Sequence, residues 1–191
     1  MIFSIMFWNC QGALSHDFQR TFKALVHNYK LMMVALLEPK ISGKKADKFI
    51  LRSGFDRSYR IEAVGFSSGI WLLWKEGLHV EIVVNHKQFI HLGRSNSYGL
   101  VSWIIVIYAS PIRTARNMLW HKLDEVAQTI EGPWLLRGDF NAILHPFEKR
   151  GGSLCNNRTC HFFKDWFYRN QFCDIKFSGL SFTWGRGTLL K

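Results

Sequence analysis

Four residues in the second half of the chain, Gly138-Asp139-Phe140-Asn141, have types and spacing suited to chemistry. They follow the apolar run Trp134-Leu135-Leu136, broken by Arg137, which reads as a buried strand ending in a glycine turn. Side chains alternate faces along a strand, so Asp139 and Asn141, two apart, are expected to point the same way. A carboxylate beside a carboxamide can hold a water, a metal ion or a phosphate. The plain alternative is an Asx-type turn that does no chemistry.

Three other apolar runs end in polar groups of comparable use. Residues 2–8 lead into Asn9, residues 31–37 into Glu38, and residues 100–108 end in Tyr108. Four such endings on core strands suggest one shared rim. Each residue type has a role in cleaving a phosphodiester. Glu38 is a hard oxygen ligand suited to Mg²⁺, which keeps most of its waters and takes one or two carboxylates. Asn9 can add a carbonyl oxygen or hold Glu38. Asp139 can orient and deprotonate an attacking water, and Asn141 can fix Asp139 or donate to a phosphate oxygen. Tyr108 can donate its phenolic proton to charge developing on the phosphoryl group. Taken singly, Glu38 reads as a surface carboxylate, Tyr108 as a core-edge residue and Asn9 as a turn residue; the set carries the chemistry.

The elements that must position them alternate between groups of strands and inserted helices. Apolar residues at helical spacing (Phe18, Phe22, Leu25, Val26, Tyr29) predict a helix over residues 17–30. A short basic helix is expected over 44–53, with Gly54 suited to its C-cap. Strands are expected over 59–64, 70–74, 80–84, 89–92 and 100–108. Ser110-Pro111 can open a helical stretch whose inward face is Met118, Leu119, Leu123, Val126, Ala127 and Ile130. A later helix over 159–169 should turn Phe162, Phe163, Trp166 and Phe167 inward, and two short strands are expected near 173–177 and 180–184. The pattern fits an α/β sandwich better than a Rossmann alternation, and no Gly-rich dinucleotide fingerprint follows the first strand.

The chain has 191 residues, of which 48% are hydrophobic and 15% aromatic, enough for one packed domain and against a disordered chain. Its net charge of +11 favours polyanions, nucleic acid first. The excess is local in part: Lys40, Lys44, Lys45, Lys48, Arg52, Arg57 and Arg60 lie close in sequence, against Asp47 and Asp56. Lys40, Lys44 and Lys45 are therefore candidate phosphate contacts. The apolar opening is short and lacks a basic leader and cleavage site, and no run approaches about 18 apolar residues, so neither export nor a membrane span is expected. An intracellular protein with reduced thiols at Cys10, Cys155, Cys160 and Cys173 follows. The cysteine spacings fit no common zinc pattern.

Five motifs in order resemble the endonuclease/exonuclease/phosphatase family: Trp8-Asn9-Cys10-Gln11-Gly12, Leu37-Glu38-Pro39-Lys40, Tyr108-Ala109-Ser110-Pro111, Gly138-Asp139-Phe140-Asn141 and Ser181-Phe182-Thr183-Trp184. That family includes pancreatic-type deoxyribonucleases, apurinic endonucleases and the nuclease domains of non-LTR retrotransposons. Pro133-Trp134-Leu135-Leu136, Glu148-Lys149-Arg150-Gly151-Gly152 and Phe177-Ser178-Gly179 resemble LINE-type plant elements in particular. The resemblance spans about residues 3–184. It implies a four-layered, deoxyribonuclease-like α/β sandwich in a single domain over 1–191, and a phosphodiesterase dependent on Mg²⁺ or Mn²⁺. By matching position, Asn9 and Glu38 would belong to the metal site, and Tyr108, Asp139 and Asn141 would serve the phosphate and water. Thr183 and Trp184 would lie near the nucleic-acid groove. DNA is the implied partner, of a nuclear monomer whose parent gene would carry a reverse transcriptase.

One part of the family's pattern is missing. It continues to a Ser-Asp-His motif whose Asp–His pair handles the phosphate and proton transfers, and the 191 residues contain none; His16-Asp17 has the wrong order and place. The chain is thus expected to be C-terminally truncated, without its final strands, and to show little or no nuclease activity, since a lost general acid/base typically removes about 10²–10⁴ in rate. The competing expectations are a phosphatase of the same fold, a non-catalytic nucleic-acid-binding remnant, and a fragment that folds poorly.

Overall fold

A computed structural model describes residues 3–62, 69–96, 98–151, 157–175, 177–179 and 182. Two compact units emerge: residues 1–110 with 130–140, and residues 111–129 with 141–191.

The first unit holds every described strand. β1 (Ile5–Asn9) leads into α1 (His16–Asn28), β2 (Met33–Leu37) and α2 (Gly43–Arg52). Then come β3 (Arg57–Ile61), β4 (Ile70–Trp74), β5 (His79–His86), β6 (Phe89–Asn96) and β7 (Gly99–Tyr108), and β8 (Trp134–Asp139) completes the unit. Two four-stranded sheets form, in the orders β1-β2-β4-β3 and β5-β6-β7-β8. Each is antiparallel except for one parallel pair at its edge, β1 with β2 and β7 with β8. This is the α/β architecture that the motifs implied.

Alternation along the strands explains why the sheets stack. Met33, Ala35 and Leu37 of β2 join Ile70, Leu72 and Trp74 of β4 on one face, and pack with Ile90, Leu92, Ile104, Val106 and Tyr108 of the other sheet. The opposite residues of β2 and β4, Val34, Leu36, Trp71 and Leu73, face α1 and α2 through Phe18, Phe22, Ala46 and Phe49. β2 is therefore buried on both sides, as its continuous apolar run requires. Each fully buried Leu or Phe stabilises the unit by about 1.5–3 kcal/mol.

Local chemistry sets the helix ends. The Ser15 hydroxyl accepts the Phe18 N–H at 3.1 Å and caps α1. Gly54, at φ +81°, takes the left-handed position after the C-cap residue Ser53 of α2. Two details depart from the sequence reading: Tyr29 falls outside the buried face of α1 and is exposed, and β8 runs through Gly138 to Asp139 instead of ending in a glycine turn.

The second unit contains α3 (Arg113–Ala127), a short 3-10 turn (Pro146–Glu148) and α4 (Asn157–Arg169). Trp120 of α3 stacks on Phe163 and Trp166 of α4, with ring centroids 4.9 and 5.5 Å apart. Arg169 and Asn170 both donate to the Asp124 carboxylate, at 2.6 and 3.2 Å. Leu119, Leu123 and Val126 are buried as expected, whereas Met118 and Phe162 are exposed. Residues 173–175 form no strand, and the strand expected over 180–184 lies outside the described residues apart from Phe182, which belongs to no element.

Candidate active site

Parallel pairing makes one rim of four strand ends. Asn9 is level with Leu37, and Tyr108 with Asp139. Across the sandwich, Asn9 Nδ2 donates to Asp139 Oδ2 at 2.7 Å. The C-terminal ends of β1, β2, β7 and β8 thus share one end of the molecule's first unit, with Glu38 the next residue after β2.

Asn9 follows Ile5 and Phe7 on the inner face of β1, which carries it toward the second sheet. Its Oδ1 is buried and has no hydrogen-bond partner among the described residues. An orphaned buried carbonyl oxygen is costly unless something else satisfies it. Glu38 has φ +58°, a left-handed conformation that is strained for a residue with a Cβ. Its N–H donates to Gly69 O at 3.3 Å, and its carboxylate lies 3.7 Å from Lys40 Nζ. Gln11 (φ +49°) and Lys40 (φ +54°) share the left-handed conformation, so the loops after β1 and β2 both concentrate strain beside the rim. Those loops are tied together: Cys10 N–H donates to Leu37 O at 3.0 Å, and Ala13 N–H to Pro39 O at 2.9 Å.

The glycine before Asp139 has a steric cause. A Cβ at Gly138 would stand 1.8 Å from the carbonyl oxygen of Ile107. Only glycine lets β8 approach β7 closely enough for Asp139 O to accept the Ala109 N–H at 2.8 Å. Tyr108 is 6% exposed, with its body in the core between the sheets. Asn141 lies beyond the strand. The strand ends at Asp139, Asn141 adopts φ +45°, and it falls in the second unit, so strand alternation does not put it on Asp139's face.

Gln88 escaped the sequence reading. It sits in the β5–β6 turn, only 3% exposed. Its backbone oxygen accepts the Tyr108 N–H at 2.9 Å, and its Oε1 accepts the Ser110 N–H at 2.6 Å. The segment leaving β7 is thereby fixed on the rim. The only sequence signal was a polar dipeptide between two strands.

Cys10 is not a reactive thiol. Burial pushes its pKa up to about 11, the nearby Glu38 charge adds to this, and its Sγ–H donates to Leu37 O at 3.3 Å. Lys40, Lys44 and Lys45 are all exposed. The latter two occupy the first turn of α2, where cations oppose the helix dipole, and the N-cap Ser42 makes no side-chain cap. Thr183 and Trp184 lie outside the described residues.

Among the described residues no group of three His, Cys, Asp or Glu side chains could enclose a metal. The available donors are the Glu38 carboxylate and the unsatisfied Asn9 amide oxygen, both hard oxygens. That set fits Mg²⁺ or Mn²⁺, which bind through few protein ligands, and does not fit a structural zinc site.

No family model matches the sequence, and no curated protein does. Solved structures do match, and they show the fold: the stacked sheets and helices are arranged as in deoxyribonuclease-like endonucleases. The endonuclease domain of TRAS1, a telomere-specific non-LTR retrotransposon, is 11% identical, with 88% of this chain and 72% of that chain covered at a TM-score of 0.62. An AP endonuclease from Archaeoglobus fulgidus is 13% identical, with 88% and 70% covered at 0.62. TDP2 from C. elegans is 18% identical, with 74% and 48% covered at 0.52, so this chain spans about half of its length.

Proposed function

We propose that the chain is a metal-dependent phosphodiesterase that cuts DNA. The observation that carries this reading is the Asn9–Asp139 pair, which leaves Asn9 Oδ1 buried and unsatisfied beside a strained Glu38. A divalent ion held by Glu38 and Asn9 would supply Lewis-acid stabilisation of charge on the phosphoryl oxygens. Asn9 Nδ2 holds the Asp139 carboxylate in place, and that carboxylate would orient an attacking water and take its proton. The Tyr108 phenol, carried on a backbone that Gln88 anchors, would donate toward the phosphoryl oxygens. Lys40, Lys44 and Lys45 offer contacts to the flanking backbone. The +11 charge favours DNA over a small phosphate as substrate, and a DNA substrate implies work in the nucleus.

Asn9, Glu38, Tyr108 and Asp139 include no histidine to protonate the leaving oxygen, so these four alone are expected to turn over about 10²–10⁴ more slowly than a site with a complete acid–base pair. Plasmid nicking tests the reading. Slow nicking with Mg²⁺, absent in EDTA and lost in Asp139→Ala, is expected; nicking that survives either treatment would contradict it.

A further inference from the structure

A cavity of about 530 Å³ opens at the edge of the first unit, between α1 and the loops that follow β1 and β2. The rim residues do not use it. Its floor is aromatic: the Trp8 and Phe18 rings lie 4.6 Å apart between centroids, tilted by 41°. Gln11, Thr21 and Lys40 add polar groups to its lining. Asp17 also faces it, with its charge offset by Arg20 at 3.0 Å. Gly12, at φ +127°, has nothing within 4 Å of where a Cβ would stand, which keeps the entrance open.

The walls are the same two loops that carry the rim. Gln11 is two residues from Asn9, a reach of at most about 7 Å, and Lys40 is two residues from Glu38. The two loops are tied to each other by the Cys10–Leu37 and Ala13–Pro39 hydrogen bonds. A flat group with an apolar face and a hydrogen-bonding edge, attached to a phosphate, matches such a site: aromatic floor for the face, the Gln11 amide for the edge, and Lys40 for the phosphate.

We propose that this cavity is a subsite for one unstacked nucleobase of the DNA strand, next to the phosphate held at the rim. Gln11 contacts the edge of that base and so biases which nucleotide flanks the cut. The proposal rests on the nuclease reading of the rim.

Photocrosslinking tests it, using the wild-type chain in EDTA so that no strand is cut, and DNA carrying iododeoxyuridine at successive positions. Adducts at one or two adjacent positions, mapped to the peptide that contains Trp8, are expected. Thr21→Trp, which fills the cavity from the exposed face of α1, should lower that adduct by at least about fivefold. Adducts only at the peptides of α2, or an adduct at the Trp8 peptide that Thr21→Trp leaves unchanged, would overturn the subsite; Mg²⁺-dependent nicking by the same preparation would then leave the nuclease reading standing. The specific Trp8 adduct without any Mg²⁺-dependent nicking would support the subsite and overturn the nuclease reading.

Discussion

Asn9 and Asp139 lie 130 positions apart in sequence, yet one 2.7 Å hydrogen bond joins them and leaves a single buried oxygen unsatisfied. Their types suggested chemistry, but pairing them required knowing that β1 and β8 are adjacent edges of two stacked sheets. Gly138 shows a different limit. The sequence suggested a turn, and the structure gives a close backbone approach to Ile107, a contact that no local pattern encodes. Gly138→Ala must push β8 away from β7, and a loss of at least about 1–3 kcal/mol in stability is expected. Urea unfolding checks it: the midpoint should fall with the slope unchanged. The reason given for the orientation of Asn141 was equally local. Strand alternation was carried two residues beyond Asp139, where the extended backbone ends.

At the scale of elements, most strands and helices were legible because burial on one or both faces imposes period two or period 3.6 on the sequence. β4 lies where its apolar run predicted, and β2 shows the double burial that its uninterrupted run required. Strand direction was not legible. It comes from the parallel β1–β2 and β7–β8 pairs, and without it a common rim was only an inference. The turn between β5 and β6 supplies a further support in Gln88. Gln88→Leu leaves the Ser110 N–H without its acceptor and should cost about 1–3 kcal/mol. Gln88→Glu keeps an acceptor at that position and should lose less. Thermal unfolding of the two variants, side by side, measures the difference; equal losses would mean that the hydrogen bond to Ser110 does not fix this segment.

The first unit carries a buried basic group whose titration contributes to its response to pH. His91 of β6 is 1% exposed, and neither ring nitrogen has a hydrogen-bond partner among the described residues. Burial lowers its pKa below the ordinary 6.5. The sign follows from linkage. Above about pH 6.5 the ring is neutral in both the folded and unfolded chain, and its contribution to stability is fully present. As the pH falls through that value the unfolded chain takes up the proton first, so stability declines until the lower folded pKa is reached. The urea midpoint should drop between pH 7.5 and pH 5, and His91→Met should flatten that drop; an unchanged pH profile in the variant would show that other groups cause it.

The whole molecule's charge, fold and rim are the grounds for one proposal: that Glu38 and Asn9 hold a divalent ion for phosphodiester cleavage at Asp139. The most direct measurement is the rate of plasmid nicking as a function of Mg²⁺ concentration for the wild-type chain and for Glu38→Gln. Removing the carboxylate should raise the Mg²⁺ needed for half-maximal nicking by at least about tenfold, with partial recovery of the rate in excess metal. Identical Mg²⁺ dependence in the two proteins, or nicking by neither, would contradict it.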